Sequence, residues 1–175
     1  RVAGASRYDT AIEVSKEIYE TSDTVVIATG EDFPDSLTAS VIASENDAPL
    51  LLSSDKQINK VKSEISRLKA KEIIIVGGEN SVSKAEEKSF MELGETRRIA
   101  GSNRYETALK IAEEILKNNP NKKAVTVASG TKYPDALSIS PYAAREKSPI
   151  LLADGDKLPG AEKLVKDYSI SEAII

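Results

Sequence analysis

Two arginines set in the same frame are the residues best placed to bind something. Arg7 stands in RVAGASRYDTA (1–11) and Arg104 in RRIAGSNRYETA (97–108). With Arg1 on Arg98, Gly4 falls on Gly101, Arg7 on Arg104, Tyr8 on Tyr105 and Thr10 on Thr107. Ser6 with Asp9, and Asn103 with Glu106, have the spacing of helix N-caps, so each arginine opens a helix. A helix start offers free N–H groups and a partial positive charge. A guanidinium there adds a bidentate donor for carboxylate or phosphate. The functional reading is an anion site in each copy, with Tyr8 and Tyr105 beside it. The alternative is that the arginines pair with internal carboxylates, Asp35 and Asp135 being the candidates.

A second set repeats as well. Thr29-Gly30 with Phe33-Pro34-Asp35 matches Ser129-Gly130 with Tyr133-Pro134-Asp135. Each set follows a buried strand, at the end where parallel α/β folds bind ligands. Hydroxyl, backbone amides and carboxylate together suit sugar hydroxyls, and a plain βα turn accounts for the same residues. Gly77-Gly78-Glu79-Asn80-Ser81 lacks the spacing of a Walker loop or a dinucleotide fingerprint and reads as a turn. Asp154-Gly155-Asp156 is Ser54-Asp55-Lys56 in the first copy, so it reads as a turn and not a cation site. No metal and no cofactor is expected.

Composition narrows the chemistry. There is no Cys and no His. Thiol nucleophiles, the commonest zinc ligands and the usual near-neutral acid–base group are therefore excluded. A net charge of −4 argues against a general nucleic-acid partner. No apolar run approaches the length of a membrane span, so no membrane partner is expected. The chain starts on Arg1 and reads as an excised or mature segment.

The elements that must position these residues follow from patterning. A repeat near 97 residues has the length of a small domain, which predicts two modules, 1–96 and 97–175. VVIATG (25–30), PLLLSS (49–54) and EIIIVGG (72–78) are buried strands in the first. Pro34 suits the first turn of a helix whose small face, Ala39 and Ala43, allows close approach. Ile58, Val61, Ile65 and Leu68 keep helical spacing, and Ser83 with Glu86 forms a capping box. RVAG (1–4) is expected as a strand, and Ala11, Val14 and Ile18 as the buried face of the first helix. VTVASG (125–130) and SPILL (148–152) repeat the pattern. The whole predicts an α/β fold of parallel-sheet modules with right-handed crossovers. The second copy ends at SEAII (171–175), aligned with KEIII (71–75), before any Gly-Gly turn and final helix. No Pro, Gly or Ser linker separates the copies, which favours a fixed arrangement.

The motifs G-x-x-R-Y-[DE]-T-A, A-[ST]-G-x-x-[FY]-P-D-[AS]-L, P-[IL]-L-L and I-I-I-V-G-G together resemble the cell-wall-binding repeat type 2 family of Gram-positive, particularly clostridial, surface proteins. The resemblance covers one full repeat and one shorter one. It implies a Rossmann-like, Toprim-like module, usually in three tandem copies packed about a pseudo-threefold axis. It implies non-covalent anchoring to an anionic cell-wall glycopolymer, a secreted cell-surface location and further copies of the module as partners. It also implies an anchoring role for Leu50, Leu51 and Leu52, and for Ile150, Leu151 and Leu152, which patterning alone reads as core.

The function expected is a non-catalytic anchor. Arg7 and Arg104 take anionic groups, while Thr29, Asp35, Ser129 and Asp135 take hydroxyls or hold the arginines. One alternative is a hydrolase working through Asp35 and Asp135; without His or Cys a zinc amidase site is not credible. The other is a unit whose small-residue helices serve only module packing.

Overall fold

Two parallel sheets form because the apolar runs are short, β-branched and separated by helices. A computed structural model describes residues 1–175. The first module runs α1 (Arg7–Ile18), β1 (Thr24–Thr29), α2 (Phe33–Glu45), β2 (Leu50–Ser53), α3 (Ile58–Leu68), β3 (Glu72–Val76), α4 (Lys84–Met91) and β4 (Glu95–Ile99). The second runs α5 (Arg104–Asn118), β5 (Ala124–Ser129), α6 (Tyr133–Arg145), β6 (Ile150–Ala153), α7 (Ala161–Asp167) and β7 (Glu172–Ile174). The sheet orders are β2-β1-β3-β4 and β6-β5-β7, and every pair is parallel. The registers repeat: Val26 faces Leu50 in the first sheet and Thr126 faces Ile150 in the second. No helix is long and apolar enough to cross a membrane.

Residues 1–4, expected as a strand, form none. The reason lies in the copy. Strand β4 pairs with β3, closing the sheet of the module before it instead of opening its own. Residues 97–99, where the repeat begins again in sequence, thus belong to the first sheet, and the chain crosses to the second module after Ile99.

Alternate residues of β1 face two different cores, as a strand's period of two requires. Val25 and Ile27 join Ile12, Val61, Ile65, Leu68 and Phe90 on one side. Val26 and Ala28 face the largest apolar cluster, 18 buried residues drawn from both modules. Helix α2 contributes Ala39, Ile42 and Ala43 to it, α5 contributes Ala108, Ile111 and Ile115, and β6 contributes Ile150 and Leu152. Ala39 and Ala43 give α2 the narrow face its sequence predicts. The modules share a core and are not beads on a string. The Ile150-Leu151-Leu152 run is buried, with Leu151 turned to a third cluster against Ala112, Leu116 and Leu164.

The expected face of α1 is corrected. Tyr8, Ile12 and Ser15 are buried, whereas Val14 and Ile18 are 40% and 65% exposed. The matching face of α5 is buried because α2 lies over it, and α1 has no such helix against it.

Candidate functional site

Three strand ends meet where the modules join. Strand β1 leads through Asp32 into α2, β3 leads into the turn Gly77–Ser81, and β4 leads through Gly101-Ser102-Asn103 into α5. The cleft between them has a volume of about 460 Å³ and no hydrophobic lining residue. Asp32, Asp35, Glu79, Asn80, Ser81, Asn103 and Arg104 line it. It lies at the carboxyl ends of parallel strands, the general ligand position of such sheets.

Each wall has a local cause. Asp32 caps α2, accepting from the Phe33 amide at 2.9 Å, and Pro34 needs no amide partner in the first turn. Asn103 caps α5 by accepting from the Glu106 amide at 3.0 Å, and Glu106 accepts in return from the Ser102 amide at 2.8 Å. Gly77 has φ +106°, and a side chain there would meet Asp35 Oδ2 at 2.5 Å. Glycine is thus required twice over, for the turn and for the close carboxylate.

Asp35 is the most perturbed group in the cleft. Burial pushes its carboxyl above the ordinary value and Asp32 adds to this, while the Ser81 hydroxyl, donating at 3.0 Å, and Arg104 pull it back. Arg104 donates Nη1 to the Gly130 carbonyl at 2.8 Å and pairs through Nη2 with Asp32 at 3.0 Å. Its guanidinium also lies over the Phe33 ring, 5.8 Å from the centroid. The internal partner that sequence left open for Arg104 is therefore Asp32 of the other module, not Asp135. Arg7 donates to the Gly30 carbonyl at 2.6 Å, is exposed, and forms no ion pair.

The remaining expected residues separate. Tyr8 is buried, its ring is packed against Gly30, and its hydroxyl donates to Glu31. Burial first, and the Glu31 bond second, push its phenol up. Tyr105 packs on Gly130 in the same way. The Thr29 hydroxyl accepts from the Glu31 amide at 3.1 Å, and Ser129 accepts from the Thr131 and Lys132 amides at 3.2 and 3.1 Å. Both thus hold βα turns. Asp135 is exposed and lines a separate depression with Ser129 and Lys132. The structure does not bring Asp35 and Asp135 into one site. No group of three or more carboxylates is placed to hold a metal.

Sequence reasoning missed Asp32, and it set Glu79 aside as part of a turn. Asp32 could have been found, since it immediately precedes a Phe-Pro helix start. Its cross-module partner could not, because Arg104 lies 72 residues away.

Tandem parallel α/β modules with a shared core and a polar cleft at the strand ends define a binding unit built by repetition. The sequence profile of cell wall binding domain 2 matches residues 1–87 and 98–175, and the chain belongs to that family. The family is one of binding rather than catalytic domains, at the cell wall and cell surface. Among relatives, the N-acetylmuramoyl-L-alanine amidase LytC of Bacillus subtilis is 37% identical over 178 residues, covering 100% of this chain and 35% of that protein. The amidase enhancer of the same organism is 34% identical, over 100% of this chain and 23% of that protein. The chain thus spans about a third or less of these relatives. Of solved structures, Cwp6 from Clostridium difficile superposes with a TM-score of 0.88 at 37% identity, over 98% of this chain and 28% of that one. Cwp8 from the same organism gives 0.84 at 35% identity, over 94% and 29%.

Proposed function

We propose that the chain is a non-catalytic anchor that holds a surface protein to an anionic cell-wall glycopolymer. The observation that carries this is the cleft between the modules, which no hydrophobic residue lines and which neither module forms alone. Sugar hydroxyls donate to Asp35 and Glu79 and exchange hydrogen bonds with Asn80, Ser81 and Asn103. Arg104 offers its remaining N–H groups to an anionic substituent at the rim, in competition with Asp32. Arg7, free of any carboxylate, is the open anion site of the first module. Thr29, Ser129, Tyr8 and Tyr105 support these residues from behind, and Asp135 is the uncovered counterpart of Asp35. Each contact is weak, and repetition of modules supplies affinity. Further modules pack against the exposed faces of α1 and α6, as the second packs against α2, in a pseudo-trimeric array.

The test is retention on purified cell walls. Arg7→Ala with Arg104→Ala is expected to lower retention about tenfold or more, with circular dichroism unchanged. Raising salt should weaken the wild type. Retention unaffected by salt and by the double substitution would remove the electrostatic part of the reading.

A further inference from the structure

Aromatic side chains are scarce in this chain, which has two phenylalanines, six tyrosines and no tryptophan. Most lie inside. Phe90 belongs to one apolar cluster, Tyr19, Tyr105 and Tyr168 each pack against one of the three, and Tyr8 is buried. Phe33 and Tyr133 belong to none of these clusters. They hold the same place in the two modules, each opening its helix just before a proline. Packing of the second module on α2 brings them together, with ring centroids 6.1 Å apart and planes inclined at 63°. Phe33 is half-buried, and the Arg104 guanidinium lies over its ring. Tyr133 is 57% exposed. A first helical position makes no demand for an aromatic residue, and a ring so exposed adds little to packing. The pair stands between two depressions. Asp32 and Pro34, on either side of Phe33, line the polar cleft, and Lys132, next to Tyr133, lines the depression at Ser129 and Asp135.

We propose that Tyr133 is a stacking platform for a sugar ring of the glycopolymer, with Phe33 as its brace and Arg104 as the neighbouring anion donor. This rests on the reading of the chain as a glycopolymer anchor. The C–H groups on the face of a pyranose are weakly positive, and the face of an aromatic ring is negative. The hydroxyls around the sugar's rim stay free for hydrogen bonds. Phe33 meets Tyr133 at an angle and is itself held under Arg104, so the platform is set before the sugar arrives and little rotamer freedom is lost on binding. The charges fit the same occupant, since Arg104 on one side and Lys132 on the other suit a sugar with an anionic substituent. A polymer laid over the pair joins the polar cleft to the depression at Asp135, and one polymer strand then contacts both modules. Packing on a helix of this kind leaves the ring at its head accessible. The second module covers α2, and Phe33 stays only half-buried.

The lack of tryptophan makes the platform directly observable. Tyr133→Trp puts the chain's sole indole at the proposed site. This variant is titrated with the soluble glycopolymer that muramidase releases from purified cell walls. Its emission is expected to shift to the blue, and its retention on walls to stay within about threefold of the wild type. Tyr133→Leu keeps the place apolar and removes the negative ring face. Its retention is expected to fall about fivefold, with circular dichroism unchanged. Retention of Tyr133→Leu equal to that of the wild type would overturn the proposal, because an apolar protein contact tolerates leucine. Emission unmoved by the polymer would equally overturn it. A blue shift that grows with protein concentration in the absence of polymer, beside a dimer in sedimentation, would assign the ring to a second copy of the chain instead. The anchoring reading is judged separately. Retention lost in Arg7→Ala with Arg104→Ala, but kept in Tyr133→Leu, leaves the anchor standing and removes the platform. An emission shift in a chain that walls do not retain does the reverse.

Discussion

At one matching place the two modules bury opposite kinds of side chain. In the first, Glu64 of α3 is 2% exposed beneath α1. It accepts from Ser15 at 2.6 Å and from Arg67 at 2.8 and 2.7 Å, and Arg67 also caps the α1 end through the Tyr19 and Glu20 carbonyls at 2.9 and 3.1 Å. In the second module Leu164 replaces Glu64, Ala112 replaces Ser15 and Asp167 replaces Arg67. Leu164 and Ala112 sit in one apolar cluster. The same helix pair is therefore held by a closed polar network in one copy and by packing in the other. The fold needs the site filled and does not need it charged.

The comparison can be broken from either side. Arg67→Ala leaves a buried carboxylate without its cation and is expected to cost about 3–5 kcal/mol in chemical unfolding. Ser15→Ala with Glu64→Leu installs the second module's solution in the first. It is expected to stay within about 1 kcal/mol of the wild type, since well-packed apolar groups replace a buried carboxylate while Arg67, a third exposed, keeps water and the Tyr19 and Glu20 carbonyls. A double variant as damaged as Arg67→Ala would mean that the network positions α1 in a way packing does not.

These differences mark what sequence could and could not disclose. Strands β1 to β3 and their copies were legible because a parallel strand covered on both faces is a continuous apolar run. Glu64 gave a faint signal, one position from Ile65 on the stripe Val61, Ile65, Leu68. The arginines were legible through the repeat, and their carbonyl partners Gly30 and Gly130 were not. The outward turn of Val14 and Ile18 was illegible, because α5 bears the same pattern and buries it. Whether that face is covered depends on a neighbouring module, which local periodicity does not encode. The Asp32–Arg104 pair across the modules was hidden for the same reason. Repeat alignment seeks identity, and it passes over Asp32 against Lys132 as mere divergence.

The turn after β3 sharpens the contrast at smaller scale. Gly77 and Gly78 are neighbours in sequence and opposites in environment. An added Cβ meets Asp35 and Ser81 at 2.5 and 3.0 Å at Gly77, where φ is +106°, and meets nothing within 4 Å at Gly78. Gly77→Ala is expected to cost about 1–3 kcal/mol and to lower wall retention by displacing Asp35. Gly78→Ala should stay within about 0.5 kcal/mol in the same melts.

The smallest effect separates Asp35 from its open counterpart Asp135. The Asp35 carboxyl is raised in the folded protein, chiefly by burial. The folded state then holds this proton more tightly than the unfolded chain. Its contribution to stability therefore rises as pH falls from the raised value toward about 4, and the ionised form costs stability at neutral pH. Asp35→Asn removes that cost and keeps an acceptor for Ser81. A gain of about 1 kcal/mol or less is expected at pH 7, shrinking as the melts are repeated toward pH 4. Asp135→Asn, at an exposed site, should change stability by less than about 0.5 kcal/mol. If Asp35→Asn instead destabilises the chain at pH 7, the pull of Ser81 and Arg104 outweighs burial. The carboxylate would then be a structural brace of the cleft and not an acceptor held ready for a sugar hydroxyl.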